Sequence, residues 1–385
     1  MTAICFCFQA HQPFRLKHYD FFRIGHDHTY ADPARDEVAL NQAADQTYLP
    51  ANQRLLALIR RSAVQSSGPG SVGHRFKFAL SLSGTVLEQL WRYRPDALTS
   101  FRGLIDAQGA EVLGGTHYHS FPFLYSPREF RRQVDQHRLT TETLLDVSPT
   151  LFRNPQAGYG NDIARAAEEM GFPGILSDGH DSLLLGRSPN HVYAPLGTRR
   201  IRALLQNQSL SEDLATRFSR PDWSAYPLGP AVFADWLEKG VRTGESVLNL
   251  WLDYGAFAQP GFLDFLEGLV AEVHRRPGLD FRTPSEVLAT YPVKGTYDVP
   301  RSANWAEIQK DLPAGTENYL QREAVERVYR LEESVLASAS EDLLRVWGSL
   351  QSADHFHGMA NGQPDRYDAY INYMNVLTDL EERLA

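Results

Sequence analysis

The stretch AICFCFQAHQP, residues 3–13, decides the fold of this chain. Its first part is a short apolar run in which Cys and Phe alternate, which is typical of a buried β-strand. The strand must end near His11, because Pro13 cannot donate a hydrogen bond to a neighbouring strand. A buried strand that runs directly into polar residues is the unit from which (β/α) barrels build sites at the carboxyl ends of their strands.

The same unit recurs along the chain. Six further short β-rich runs, most of them followed by a polar or glycine-containing cluster, occur at residues 76–82, 110–113, 150–153, 174–176, 201–205 and 247–252. Amphipathic helical patterns such as residues 161–170 and 231–238 lie between several of them. Alternation of strands and helices indicates a parallel sheet with crossover helices. We therefore predict an α/β fold with an incomplete TIM-like (β/α)7 barrel over residues 1–295.

The last part of the chain, residues 296–385, has a different pattern. Charged amphipathic periodicities at residues 320–336, 341–350 and 367–384 predict long helices and no strands. We expect this C-terminal α-helical region to pack on the barrel.

Composition narrows the possible classes of protein. The 385 residues are 43% hydrophobic, and no apolar run approaches the roughly 20 residues of a membrane helix. The net charge of −9, with no basic block, argues against a nucleic-acid partner. Cys5 and Cys7 are the two cysteines, and the N-terminus lacks the features of a secretory signal, so we expect a cytoplasmic protein. These features carry no prediction of the oligomeric state.

Polar side chains at the predicted strand ends are the first candidates for chemistry. His11 could bind a ligand hydroxyl or serve as a structural residue in a turn. Asp253 ends a hydrophobic strand, where a barrel carboxylate is expected. Asp178 ends another strand, where a helix cap is the alternative role. Gln156 stands where a strand-end catalytic carboxylate would lie, and a carboxamide cannot act as nucleophile or as general acid or base.

Three His-x-His pairs are candidates for metal binding: His26 with His28, His117 with His119, and His355 with His357. Residues two apart share one face of a strand, so such a pair could chelate a metal ion. The first and third pairs lie in loop or helix patterns, where that geometry is not guaranteed. We predict no metal and no cofactor.

Several motifs together give the chain a family resemblance from the first strand to the C-terminus. They are HQPFRLK (11–17), YLPAN (48–52), SGT (83–85), HS (119–120), RN (153–154) with MGF (170–172), RFS (217–219) with Trp223, TPSEV (283–287), DHF (354–356) and YINYMNVL (370–377). With these motifs the chain resembles glycoside hydrolase family 57, specifically its α-amylase-like branch.

The resemblance implies a (β/α)7 barrel with a helical C-terminal region that acts on α-glucans by a retaining mechanism without a metal. Retention requires two carboxyl groups about 5–5.5 Å apart, one as nucleophile and one as acid/base. By match to the family motifs, Asp253 occupies the acid/base position and Gln156 the nucleophile position, where the family has Glu. The implied substrate-binding residues are His11, His119, Trp223, Phe257 and Asp354.

The departure at Gln156 is not isolated. The family pattern RNTEL is replaced by RNPQA at residues 153–157, and DYETFGEH is replaced by DYGAFAQP at residues 253–260. Clustered losses of this kind are typical of a site released from its chemistry. We expect a protein that binds an α-glucan or maltooligosaccharide and is catalytically impaired. Without a facing carboxylate, Asp253 should titrate nearer an ordinary Asp than a working acid/base would.

Two other functions stay open at this point. An active glycosidase could recruit another carboxylate, for which Asp178 is the best candidate, and a displaced carboxylate could convert the enzyme to inversion. A metal-dependent hydrolase such as a deacetylase would need His117, His119 and an aspartate around one ion.

Overall fold

The computed structural model describes residues 1–65, 75–155, 158–179, 184–242, 247–300 and 318–385. The strands are β1 Thr2–Ala10, β2 Phe78–Leu82, β3 Ala110–Val112, β4 Phe152–Arg153, β5 Gly174–Ser177, β6 Val192–Pro195, β7 Arg202–Leu205, β8 Val247–Asp253, β9 Leu279–Phe281 and β10 Val293–Tyr297. The α-helices are α1 Pro33–Ala43, α2 Leu49–Gln65, α3 Gly84–Tyr93, α4 Pro95–Asp106, α5 Pro127–Leu145, α6 Asn161–Glu169, α7 Gln208–Glu212, α8 Pro230–Arg242, α9 Phe262–His274, α10 Pro284–Thr290, α11 Tyr319–Arg330, α12 Glu332–Ala337, α13 Glu341–Leu350, α14 Ala353–Gly358 and α15 Arg366–Leu384.

Seven parallel strands form the barrel wall. One group pairs in the order β3, β2, β1, β8, and a second group contains β4, β5 and β7. Two isolated parallel bridges join the groups, from Gly114 to Phe152 between β3 and β4 and from Gln206 to Asn249 between β7 and β8. The path therefore returns to β1, and the prediction of a TIM-like (β/α)7 barrel is confirmed.

Three of the described strands lie outside this closed path. β6 runs antiparallel to β7 and pairs with β10, while β9 pairs with the first residues of β1. None of the three is predicted from the sequence. β9 is only three residues long, and most of β10 is exposed, so neither carries the buried apolar run by which the wall strands were predicted.

The first strand shows why its sequence is apolar on both faces. Phe6 and Phe8 pack with the surrounding helices, whereas Cys5 and Cys7 point into the barrel interior beside Trp251. Strands in a parallel barrel are buried on both sides, so a continuous apolar run is required. Both thiols are free and buried.

The helical region has a core of its own, centred on Trp347 and Tyr373. It joins the barrel through a buried polar contact, in which Gln351 donates to Glu129 on α5 over 3.0 Å. The predicted helix at residues 341–350 coincides with α13, whereas the pattern at 320–336 is divided at Leu331 into α11 and α12. None of the described helices is long and apolar enough to cross a membrane.

Candidate active site at the carboxyl end of the barrel

His11 is the centre of the site. It follows β1, and its Nδ1 atom lies 2.8 Å from the Ser83 hydroxyl at the end of β2. Its Nε2 atom lies 2.8 Å from Oδ2 of Asp354 in the helical region. Ser83 is also the N-cap of α3 and accepts a hydrogen bond from the Val86 N–H. Two barrel strands and the helical region therefore meet at one imidazole ring.

The charge of Asp354 fixes the direction of its hydrogen bond with His11. Burial alone would raise the pKa of Asp354, but the hydrogen bond and positive charge of His11 and the hydroxyl of Ser352 hold it well below the usual range. An ionised carboxylate can only accept hydrogen bonds, so Nε2 of His11 donates. The described hydrogen bonds to this carboxylate all reach Oδ2, and the Asp354 side chain is 38% exposed. Its Oδ1 atom is thus available to a ligand.

His119 lies directly against His11. The two rings are stacked with their centroids 4.2 Å apart. Desolvation, reinforced by the positive charge of His11, holds the pKa of His119 well below the usual range, so this ring is neutral near pH 7. Its φ of +54° is uncommon for a residue with a side chain and is held by the Ala353 N–H, which donates to the His119 carbonyl. Such backbone strain is found preferentially at functional sites.

Arg153 lies below the two histidines. Its guanidinium donates to the Gln9 side chain and lies 5.1 Å from the centre of the Trp251 ring. Arg153 Nε is buried and has no hydrogen-bond partner among the described residues. It lines a small cavity together with His11 and His119. The floor of the site is therefore cationic.

Asp253 ends β8 in register with Gln9 on β1. Its Oδ1 atom accepts a hydrogen bond of 2.7 Å from the Gly255 N–H. Desolvation raises the pKa of Asp253, and the Gly255 N–H, His11 and Arg153 oppose that rise. The direction of this shift is upward, and the expectation that Asp253 titrates nearer an ordinary Asp than a working acid/base would stays a prediction.

Gln156 lies outside the described residues, so its side chain is not placed. Its neighbour Pro155 lines the cavity below His11.

Trp223 and Phe257 pack against other aromatic side chains. Phe257 is only 5% exposed, and its ring packs 4.8 Å from Phe8 in the core. Trp223 packs against Trp236 on α8 at a centroid distance of 6.1 Å. Both side chains make packing contacts, and their role in substrate binding stays a prediction.

Asp178 lies beside the outer strand β10. Tyr297 donates to the Asp178 carbonyl over 3.0 Å. Burial and the charge of Asp178 both raise the pKa of Tyr297. These contacts connect Asp178 to Tyr297, whereas His11 and Asp253 interact with each other at the ends of β1 and β8.

The two histidines required by the metal-dependent alternative have different partners. His117 is fully buried, and its Nε2 atom lies 3.0 Å from Glu88 on α3, whereas His119 stacks on His11. Within the part of the chain that the structure describes, no group of three or more His, Cys, Asp or Glu side chains is arranged to hold a metal ion.

Ser83, Arg153 and Gln9 belong to the site without having been predicted from the sequence as site residues. A signal for Ser83 was present, because it directly follows a predicted strand, as His11 does. Gln9 and Arg153 lie within strands. Sequence alone does not tell which face of a strand points into the barrel mouth, the opening at the carboxyl ends of the wall strands.

Comparison with known proteins agrees with this architecture. The model of glycosyl hydrolase family 57 matches residues 5–300. A protein of Methanocaldococcus jannaschii named "Putative alpha-amylase" is 28% identical over 410 aligned residues, which cover 98% of this chain and 84% of that protein.

Solved structures show the same fold at low identity. A family 57 branching enzyme from Thermococcus kodakaraensis is 14% identical with a TM-score of 0.72, and the match covers 100% of this chain and 90% of that one. A 4-alpha-glucanotransferase from Thermococcus litoralis is 14% identical with a TM-score of 0.70, and the match covers 97% of this chain. The chain spans only 59% of the length of that enzyme. Because the family model matches well over half of the sequence, the chain belongs to glycosyl hydrolase family 57.

Proposed function

We propose that this protein binds α-glucans, such as maltooligosaccharides, at the carboxyl end of the barrel and is impaired in their hydrolysis. Family membership supports a role in α-glucan metabolism, as do a relative named for amylase activity and structural neighbours named for branching and glucan transfer. One observation carries the proposal. Asp253, His11 and Asp354 remain grouped at the mouth, while the residue at the nucleophile position is Gln156.

The grouped side chains suit the hydroxyl groups of a neutral sugar. Asp354 Oδ1 and the carboxyl group of Asp253 accept hydrogen bonds, and the neutral ring of His119 offers one donor and one acceptor. His11 is held on both ring nitrogens and so keeps Asp354 in place. Fixed polar groups lower the entropic cost of ordering a ligand.

Retaining hydrolysis needs more than this cluster. One carboxylate must attack the anomeric carbon and form a covalent glycosyl-enzyme, while a second carboxyl group protonates the leaving oxygen. Asp253, with its raised pKa, suits the acid role. The amide of Gln156 cannot form the covalent intermediate, so the first step lacks its nucleophile.

Calorimetric titration with maltoheptaose, combined with an overnight hydrolysis assay, tests the proposal. We expect binding without release of reducing ends, and loss of binding in His119→Ala. The matched control is His26→Ala, because His26 is an exposed histidine outside the cluster. Absence of binding would overturn the proposal. Hydrolysis by the unmodified protein would also overturn it, and loss of that hydrolysis in Asp178→Asn would indicate a relocated carboxylate.

A further inference from the structure

Arg153 is a buried cation without a contacting counter-charge. The residue is only 9% exposed, and its guanidinium is held by the Gln9 side chain and the Trp251 ring, which are both uncharged. None of the ion pairs among the described residues includes Arg153. A buried lysine or carboxyl group can lose its charge by a shift of its pKa, but a guanidinium stays protonated. A buried, unpaired charge is strongly unfavourable, so this position favours an anion.

We propose that the cavity beside Arg153 binds a halide ion such as chloride, with the Arg153 Nε–H and the Ser81 hydroxyl as its donors. The inference does not rest on the proposed function, because the ligand is an inorganic anion and not a sugar.

Two unused donors face this cavity. Arg153 lines it, and Nε of this side chain is buried without a hydrogen-bond partner among the described residues. Ser81 on β2 is in register with Gln9 on β1, so the two side chains lie on the same face of the sheet. Ser81 lines the cavity too, and its hydroxyl makes no hydrogen bond to another described residue. A charged donor and a neutral donor therefore serve one small space.

The size of the cavity selects a monatomic anion. Its volume is about 10 Å³, which is close to what a single water-sized particle needs. Phosphate and sulfate are tetrahedral ions of several heavy atoms and are too large for this space. A water molecule would fit, but it would leave the charge of Arg153 uncompensated.

The other residues at the cavity supply no negative charge. None of the described lining residues is an aspartate or a glutamate. His119 and His137 both line the cavity, and burial lowers the pKa of each, so both rings are neutral near pH 7. His137 Nε2 donates to the Leu82 carbonyl over 2.7 Å, so its Nδ1 is an acceptor and takes no part in binding an anion.

The sequence around Arg153 supplies no counter-charge either. Residues 147–161, VSPTLFRNPQAGYGN, contain no aspartate and no glutamate. Gln156 is the residue nearest to Arg153 along the chain that has a carboxamide where a carboxylate could stand, apart from Asn154 beside it. Neither amide can neutralise a guanidinium.

A halide here would also act on Asp253. The positive charge of Arg153 is one of the influences that oppose the rise in the pKa of Asp253. An anion beside Arg153 offsets that charge and so raises the pKa of Asp253 further. The ion would thereby favour the protonated form of this carboxyl group.

Thermal unfolding in sodium chloride and in sodium methanesulfonate, at equal ionic strength, tests the inference in solution. Equal ionic strength keeps the screening of surface charges the same. Methanesulfonate is too large for the cavity. We expect the unfolding midpoint to rise with chloride concentration relative to methanesulfonate, because a ligand that binds only the folded state stabilises it. Equal midpoints in the two salts would overturn the inference.

Two variants locate the effect. Arg153→Gln removes the charge and should abolish the rise that is specific to chloride. Ser81→Ala keeps the charge and removes one donor, so about tenfold more chloride should be needed for the same rise, and this variant carries the test if Arg153→Gln does not fold. The matched control is Arg92→Gln, an exposed arginine on α3 that should keep the full effect. An unchanged chloride dependence in Ser81→Ala and Arg153→Gln would place the ion elsewhere and overturn the site.

Crystals of the unmodified protein grown in sodium bromide give the position of the ion directly. We expect a peak of bromine anomalous scattering within hydrogen-bond distance of Arg153 Nε and Ser81 Oγ. Density at this point without anomalous signal would identify a water molecule and overturn the inference.

Discussion

His11 and Asp354 are separated by 343 positions in the sequence, yet His11 Nε2 lies 2.8 Å from Asp354 Oδ2. The first belongs to the end of β1 and the second to α14 in the helical region. The helical region therefore supplies a wall of the site, and the barrel alone does not form it.

Replacing Asp354 with Asn should loosen this wall. The variant loses the charge that holds His11 Nε2, and we expect the free energy of unfolding to fall by about 1–2 kcal/mol at pH 7. Solvent reaches the Asp354 side chain and screens its charge. The expected loss of unfolding free energy is therefore at the low end of what a hydrogen bond to a charged group contributes. Urea denaturation of the two proteins at pH 7 measures the difference, and identical curves would contradict a stabilising pair.

The same pair predicts a pH dependence. The pKa of Asp354 is lower in the folded protein than the value of about 3.9 in an unfolded chain. The stability that the pair contributes is therefore fully present above about pH 5 and is lost as the pH falls below about 4. We expect the difference between the unmodified protein and Asp354→Asn to shrink as the pH is lowered through this range. A difference that grows towards acid pH would mean that the sign is wrong.

Asp379 on α15 binds residues 25–30, part of the segment that follows β1. This side chain is fully buried, and it accepts hydrogen bonds from the Gly25 N–H over 2.6 Å, from His28 over 2.8 Å and from the Tyr30 hydroxyl. Asp379→Ala leaves these donors without an acceptor, so we expect a loss of about 2–4 kcal/mol in unfolding free energy.

The matched control for Asp379→Ala is Glu382→Ala, an exposed carboxylate on the same helix. We expect the control to stay within about 0.5 kcal/mol of the unmodified protein. Chemical denaturation of both variants at one pH gives the comparison. Equal losses would show that the hydrogen bonds to Asp379 contribute nothing beyond its charge on the helix.

Gly84 is required by the close approach of α3 to the site. A Cβ at this position would lie 2.1 Å from His117 Nδ1, and His117 is fully buried against Glu88. We expect Gly84→Ala to cost about 1–3 kcal/mol and to weaken maltooligosaccharide binding, because it displaces the neighbouring Ser83 from His11. Gly229→Ala is the control, since a Cβ there meets nothing within 4 Å. Thermal unfolding measures the stability of both variants, and calorimetry measures their affinity for maltooligosaccharides. A Gly84→Ala variant as stable as the unmodified protein would refute the packing argument.

A carboxylate at residue 156, the proposed nucleophile position, should recover little activity. Gln156→Glu is nearly isosteric and returns the carboxylate, but Pro155 restricts the backbone of Asn154 beside it. An error of about 1 Å in position can cost on the order of a hundredfold in rate. We expect weak release of reducing ends at best, with none in the control Gln42→Glu, an exposed position on α1. Rapid turnover by Gln156→Glu would show that the neighbouring changes are harmless.

The barrel was predictable because its wall strands carry a strong local signal. A strand buried on both faces must be a continuous apolar run, as in β1, and the polar residue that ends it marks the barrel mouth. β10 was not predicted because most of it is exposed. The break at Leu331 between α11 and α12 was not predicted because the amphipathic pattern continues through it.

The site was predictable only in part. Family motifs supplied His11, His119 and Asp354, which the structure brings together. They also supplied Phe257, which the structure buries against Phe8, and the partly buried Trp223, which packs on Trp236. The raised pKa of Asp253 depends on desolvation by the surrounding fold, which residue spacing does not report.

The most direct test of the account is product analysis of maltoheptaose incubated at saturating concentration with the unmodified protein and with Asp253→Asn. The account predicts that both proteins bind the sugar and that chromatography after an overnight incubation finds it intact with each. Robust cleavage by the unmodified protein, abolished in Asp253→Asn, would contradict the account and show that a carboxylate other than residue 156 completes the catalytic pair.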